Sequence, residues 1–236
     1  MNIVITGASS GIGFESALTL SKDTENTIIA ISRNKVRLEN LVKQSRALQP
    51  KANIVAIPFD LENGLYSETL LPEIIKNCST IDIVINNAGA LVSKPFDELT
   101  DKDWKKMFEV NVLVPVKIIR LLLPYMGKAQ RSHIVNIGSM GGFQGSAKFP
   151  GLSAYSSSKA MLASVSECLA EELKDKNVFV NCLALGAAQT EMLDQAFPGY
   201  RAPLTASKMA EFIADFALKA HHYINGKVIP VSLSTP

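Results

Sequence analysis

The chain has 236 residues, 47% of them hydrophobic and 19% charged, with a net charge of +2 and no long run of one sign. That is enough for one sizeable core, so residues 1–236 read as a single domain. The balance excludes a strongly basic nucleic-acid binder and a membrane-surface protein, and no apolar run approaches the roughly 18 residues that would span a bilayer. Residue 2 already begins a strand-like run, so no signal peptide is expected ahead of the fold. Cys78, Cys168 and Cys182 show neither disulfide-framework nor zinc-ligand spacing, and each lies in or beside an apolar segment. Buried free thiols in a reducing, cytoplasmic setting are expected.

Asn2 to Thr6 is a short apolar run followed by Gly7-Ala8-Ser9-Ser10-Gly11-Ile12-Gly13 and a helical pattern from Phe14 to Ser21. Strand, glycine turn and helix in that order form a dinucleotide-binding start. The glycines let backbone approach a pyrophosphate, and the helix N-terminus offers free N–H groups. The Gly-Lys-Ser/Thr ending of a nucleotide-triphosphate loop is missing. A second strand, Thr27 to Ser32, ends Ser32-Arg33-Asn34 without an acid. In dinucleotide folds an acid there binds the ribose 2′-OH of NAD, whereas an arginine can pair with a 2′-phosphate. NADP (as NADPH) is therefore the expected cofactor, with NAD as the alternative.

Val36 to Leu48 reads as an amphipathic helix and Asn53 to Phe59 as a third strand, ending at Asp60-Leu61, where Asp60 can cap the following turn. A helix from about Leu65 to Lys76 precedes a fourth strand, Ile81 to Ile85, which runs into Asn86-Asn87-Ala88-Gly89. Strands alternating with helices at this rhythm predict an α/β fold with a Rossmann-type, doubly wound parallel sheet of about seven strands. Ligands of such sheets bind beyond the carboxyl ends of the strands, where Gly7, Arg33, Asp60 and Asn86 all fall.

Asp101 to Met126 is predicted as one long helix, with Asn111 among apolar neighbours and Pro115 kinking it just beyond. Its apolar residues are spread more widely than one buried face needs, a hint of self-association. His133 to Ser139 is the fifth strand, and Ser139 stands at its carboxyl end. A helix to about Asp175 then carries Tyr155 and Lys159, four residues apart and so on one face. A phenol titrates near pH 10, and a neighbouring ammonium would lower that value and make Tyr155 a general acid/base. A sixth strand (Val178 to Leu183), a last helix (Thr205 to Ala220) and a last strand (Lys227 to Ser232) complete the chain. His221 and His222 read as surface residues, lacking acidic or cysteine partners at metal spacing, and no metal site is expected.

With these pieces in order the chain resembles the short-chain dehydrogenases/reductases over nearly its whole length. The resemblance rests on Thr6-Gly7-x-x-x-Gly11-Ile12-Gly13, Asn86-Asn87-Ala88-Gly89, Asn111, Ser139 and Tyr155-x-x-x-Lys159. It implies a catalytic tetrad of Asn111, Ser139, Tyr155 and Lys159. It also implies that Lys159 holds the nicotinamide ribose, that Asn111 holds a water feeding protons to it, and that Asp60 contacts the adenine. Ser9, Ser10, Gly13, Ser32, Leu61, Asn87, Ala88, Gly89, Gly186 and Thr190 complete the expected cofactor contacts. The implied activity is hydride transfer between NADPH and a small-molecule carbonyl or alcohol, by a homodimer or homotetramer. A 3-oxoacyl-thioester reductase of fatty-acid type is the alternative within the class, and a non-catalytic dinucleotide-binding sensor or scaffold the alternative outside it. Two departures stand out. Leu185-Gly186 replaces the Pro-Gly usual after the sixth strand. Ser139 and Tyr155 are also a few residues further apart than usual, so that residues 145–151 read as an enlarged loop at the substrate mouth, facing a small lid around 198–201.

Overall fold

A computed structural model describes residues 1–233. Nine strands and eight helices alternate along it: β1 (Asn2–Thr6), α1 (Gly11–Leu20), β2 (Thr27–Ser32), α2 (Lys35–Leu48), β3 (Asn53–Pro58), α3 (Leu71–Ile75, entered through a π turn, Tyr66–Leu70), β4 (Ile83–Asn86), α4 (Asp101–Phe108), α5 (Val114–Leu122), β5 (Ser132–Ile137), α6 (Ser153–Leu173), β6 (Val178–Leu185), β7 (Ala188–Gln189), α7 (Glu191–Ala196), β8 (Leu204–Thr205), α8 (Ala206–Lys219) and β9 (Val228–Val231). Seven strands pair in parallel in the order β3-β2-β1-β4-β5-β6-β9, as the strand–helix rhythm predicts, while β7 and β8 form a separate short pair.

The central strands are runs of β-branched residues because both faces of the sheet are covered. Successive side chains alternate between faces. Ile3 and Ile5 join Ile28, Leu38, Leu41, Met209 and Ile213 in a core beneath α1, α2 and α8. Val4, between them, joins Ile29, Ile74, Ile118, Leu122 and Val180 in a second core beneath α3, α5 and α6. One sheet with a helical layer on each face is a single domain, the Rossmann-type α/β arrangement. Its order reverses at β1, with β2 on one side and β4 on the other, so the crevice opens above the carboxyl ends of those strands.

Three expectations need correction. The predicted Asp101–Met126 helix is interrupted by a π turn over Glu109–Leu113 and finishes at Leu122, followed by a 3-10 turn. Pro115 has no N–H for the Asn111 carbonyl four residues earlier, so the α-type bond there cannot form, and the chain widens into a π turn just before the proline. Of the three cysteines, Cys78 and Cys182 are buried but Cys168 is exposed, because it lies on the outward side of α6 between the buried Ser166 and Ala170. His221 is buried rather than on the surface. It falls at helical spacing from the buried Ala214 and Ala217, and its ring lies 5.0 Å from that of His133. His133 in turn lies 2.9 Å from the Ala217 carbonyl and 3.0 Å from the Asn181 amide. Burial holds the His133 imidazole down at about 4, and burial likewise lowers His221.

Candidate active site

The cleft above the carboxyl strand ends has a volume of about 410 Å³. Its floor is built by close approach of two turns. Gly7 has φ +69°, and a Cβ there would lie 2.8 Å from the Ala88 Cα. At Gly13 a Cβ would lie 2.3 Å from the Asn87 amide nitrogen and 2.5 Å from the Gly7 carbonyl oxygen. Any side chain at either position would push the β1–α1 turn off the turn after β4. Thr6 ties the same two turns. Its hydroxyl oxygen accepts from the Asn87 and Ala88 N–H groups at 3.1 and 3.0 Å, and the Asn87 amide donates to the Thr6 and Gly7 carbonyls. Asn86 sits beside Asn136 across β4 and β5 and donates to it at 2.8 Å.

Gly7, Ser9, Ser10, Gly11 and Ile12 line one end of the cleft, and Gly13 lies one layer behind them. Ser10 precedes α1 in extended conformation without a side-chain cap bond, and no acid occupies the first turn. The first N–H groups of α1 therefore keep their donor capacity and positive dipole at the cleft wall. Such a glycine-floored wall fits a dinucleotide pyrophosphate.

Ser32, Arg33, Asp60 and Leu61 line the wall beyond β2 and β3. The Ser32 hydroxyl donates to Ser9 at 2.7 Å. Asp60 holds its own turn, accepting from the Glu62 N–H at 3.0 Å and from the Asn63 amide at 3.1 Å, and these bonds draw its carboxyl below the usual carboxylate value. Glu62 is a residue that sequence reasoning missed. It pairs with Arg33 at 3.3 Å and with Lys106 of α4. Nothing local in the sequence signals it, because its partners come from the turn after β2 and from α4.

Asn87, Ala88, Gly89, Ser139, Tyr155, Lys159, Gly186 and Thr190 line the middle and far side. Thr190 caps α7 by accepting from the Leu193 N–H at 3.2 Å. Lys159 is buried and donates to the Ile137 carbonyl at 2.7 Å; its ammonium lies 6.0 Å from the Tyr155 ring centre. Burial pushes Lys159 down to about 8. Desolvation also raises Tyr155 above its ordinary value, opposed by a hydrogen bond with Ser139. Against the lowering expected from the sequence, desolvation is the largest influence on the phenol here, and the Lys159 ammonium is turned to the Ile137 carbonyl. Asn111 is buried behind the cleft wall. Its side chain accepts from the Ala90 N–H at 2.8 Å and donates to the Ala90 carbonyl at 3.0 Å and to Ser158 at 2.9 Å. It adjoins Lys159 through Gly89, where a Cβ would lie 3.3 Å from the Asn111 oxygen and 3.6 Å from the Lys159 nitrogen. The structure therefore brings all four predicted tetrad residues to one place, three on the cleft and one behind it.

Among the described residues no helix is long and apolar enough to cross a membrane, and no group of three or more His, Cys, Asp or Glu side chains could hold a metal ion.

Comparison with known proteins agrees with this geometry. A 3-oxoacyl-[acyl-carrier-protein] reductase of Thermotoga maritima is 26% identical over 238 residues, covering 97% of this chain and 94% of the relative. A 7α-hydroxysteroid dehydrogenase, solved with NADH and 7-oxo glycochenodeoxycholic acid, superposes with a TM-score of 0.88 at 26% identity, covering 98% of this chain and 92% of that one. The RhlG protein of Pseudomonas aeruginosa, solved as an NADP active-site complex, gives 0.85 at 26% identity over 98% and 94%. The family model described as short chain dehydrogenase matches residues 1–201. With the glycine-floored crevice at the sheet's reversal point and the Tyr155–Lys159 helix beside it, this places the chain among the short-chain dehydrogenases, a family of nicotinamide-dependent oxidoreductases.

Proposed function

We propose that the protein reduces a carbonyl compound to an alcohol, or runs the reverse reaction, with NADP as its preferred cofactor and Tyr155 as general acid/base. The observation that carries this reading is the meeting of Ser139, Tyr155 and Lys159 on the cleft wall opposite the glycine turn. When bound, the nicotinamide cofactor supplies a hydride to the carbonyl carbon or takes one from the alcohol carbon. Gly7, Gly11 and the α1 N-terminus hold its pyrophosphate, with Ser9, Ser10 and Ile12 beside them. Asp60 and Leu61 bound the adenosine end, and Asn87 to Gly89, Gly186 and Thr190 line the nicotinamide side.

Tyr155 gives its phenolic proton to the carbonyl oxygen as negative charge develops there. Ser139 hydrogen-bonds the same oxygen and orients it. Lys159 keeps a positive charge four residues from the phenol and favours phenolate formation as the proton leaves. Asn111, adjoining Lys159 through Gly89, places a water where it can restore that proton; its carbonyl lacks the α-type partner that Pro115 cannot supply. In the reverse direction Tyr155 acts as the base.

Preference for NADP is supported by Arg33 and Ser32 at the end of β2, a strand that itself ends without an acid though Glu62 reaches Arg33 from the turn after β3, and by the NADP complex of the Pseudomonas neighbour; the steroid dehydrogenase, with NADH, shows that the fold accepts both. The Thermotoga relative's name favours a second reading, with a 3-oxoacyl thioester as the carbonyl. Loss of NADPH absorbance with a panel of ketones, aldehydes and 3-oxoacyl thioesters tests both. The unmodified protein should turn over at least one, and Tyr155→Phe should lose roughly 10²–10⁴-fold in kcat while still binding cofactor by fluorescence titration. A Tyr155→Phe enzyme keeping most of its activity refutes the assignment, and cofactor binding without any turnover would favour a sensor or scaffold.

A further inference from the structure

The cleft beyond Tyr155 has a chemistry that its adenosine end lacks. Met140 follows β5, Phe149 and Leu152 come from the loop leading into α6, and Met192 and Phe197 come from α7 and its end. Phe149 and Phe197 meet edge to face, with ring centres 6.3 Å apart at 77°. That contact joins the enlarged loop to the end of α7, two segments otherwise separate in sequence.

Charged side chains are kept away from this half. Arg33, Asp60 and Glu62 stand at the opposite end, beyond β2 and β3. Glu191 is turned to Arg37, which it meets at 2.8 Å. Lys148, on the enlarged loop itself, folds back to donate to the Phe143 carbonyl at 2.7 Å and to Ser146 at 2.9 Å. Lys94, next to that loop, is paired with Asp103 at 2.9 Å. Among the described residues lining this half, Lys159 is the cation, and it is buried and donating to Ile137. A carboxylate or phosphate on the substrate would enter without a partner, at the full desolvation cost of an unpaired charge. An apolar arm would instead replace water against methionine and phenylalanine side chains.

We propose that the substrate is an uncharged carbonyl compound with an apolar arm, and that Phe149 and Phe197 grip that arm and set the chain-length preference. This rests on the carbonyl-reducing reading of the site. A hydrophobic pocket discriminates methylenes individually, and each buried CH₂ adds about fourfold in affinity.

The experiment measures kcat/KM for straight-chain 2-alkanones of increasing length, and for keto acids of matched length ending in a carboxylate, with cofactor saturating. kcat/KM should climb about fourfold per methylene until the pocket is filled. Each keto acid should fall roughly a hundredfold below its neutral match. Phe149→Ala and Phe197→Ala should flatten the climb, costing the longest ketone about tenfold, chiefly in KM, and the shortest less than about threefold. Both residues are only half-buried, so the variants should fold, and Phe149→Leu should restore most of the loss. Keto acids used as well as neutral ketones, a flat length series, or equal losses on short and long ketones would overturn this inference alone. Failure to turn over any carbonyl with NADPH or NADH while cofactor still binds would overturn the functional reading and this inference with it.

Discussion

In the proposed mechanism Lys159 faces two demands: it must be charged to assist Tyr155, yet it is buried. Its ammonium is held by one carbonyl, that of Ile137, and burial brings its value down to about 8. A lowered lysine is charged below that value and neutral above it. The pH profile of kcat/KM reports groups of the free enzyme, so it should fall as pH rises through about 8. A profile flat to pH 10 would show that the ammonium is not required. Arg33 faces a different competition, because Glu62 already occupies its guanidinium and is itself shared with Lys106. Glu62 takes one arm of the Arg33 fork, so a phosphate on the remaining N–H groups adds a charge-assisted bond of roughly 1.5–3 kcal/mol. NADPH should therefore be preferred over NADH by at least about tenfold in kcat/KM. Arg33→Ala should erase most of that gap through KM for NADPH. Glu62→Gln, which removes the competitor, should lower KM for NADPH severalfold and leave NADH nearly unchanged. Equal use of both cofactors by the unmodified protein would reduce Arg33 to a surface residue at a helix start.

The segment from Asp101 to Leu122 matters as an element rather than as a list of contacts. A thread of polar side chains ties its π turn to the rest of the site: Asn111 to the backbone of Ala90 and to Ser158 of α6, one residue before Lys159. Asn111→Ala would leave the partly buried Ala90 N–H and carbonyl without these partners, at up to roughly 1–3 kcal/mol each. Urea denaturation should show a loss of a few kcal/mol, with Ser158→Ala losing less. No measurable loss of stability would mean that these bonds are replaced by water. The start of this element at Asp101 agrees with the reading of the sequence, and a capping box holds it, with Thr100 and Asp103 each accepting from the other's backbone N–H. The π turn was not readable, because proline signals a break without saying how the helix absorbs it. The exposure of Cys168 and the burial of His221 escaped for a related reason. Both depend on which way a helix is rotated against neighbours distant in the chain. By contrast the strands were legible because residues buried on two faces must be apolar throughout, whereas the grouping of Asn111, Ser139, Tyr155 and Lys159 was expected from the family resemblance and not from spacing, since Asn111 comes from a separate element.

At the scale of the molecule, large apolar side chains remain in water on the outside of the second helical layer. Leu113 in the π turn is 43% exposed and Met161 on the neighbouring α6 is 45% exposed. We propose that this face is covered by a second copy of the chain, as a homodimer or homotetramer. Sedimentation at micromolar concentration should give a multiple of 25.5 kDa, and Leu113→Asp with Met161→Asp should drive the protein towards the single-chain mass. A single-chain mass for the unmodified protein would contradict the proposal. On the opposite side, the Arg37–Glu191 pair joins the first turn of α2 to the first turn of α7 across 154 positions of sequence, with Glu191 on the cleft wall. Because both side chains are well exposed, this pair is weak and readily screened by salt. In the proposed mechanism, a weak pair beside the cleft suits an enzyme that releases its spent dinucleotide after every cycle. Release of product is often the slow step in such enzymes. Steady-state kcat should therefore rise with ionic strength, with a pre-steady-state burst that shrinks as the pair loosens. In Arg37→Ala the turnover number should already be high at low salt and respond little to more.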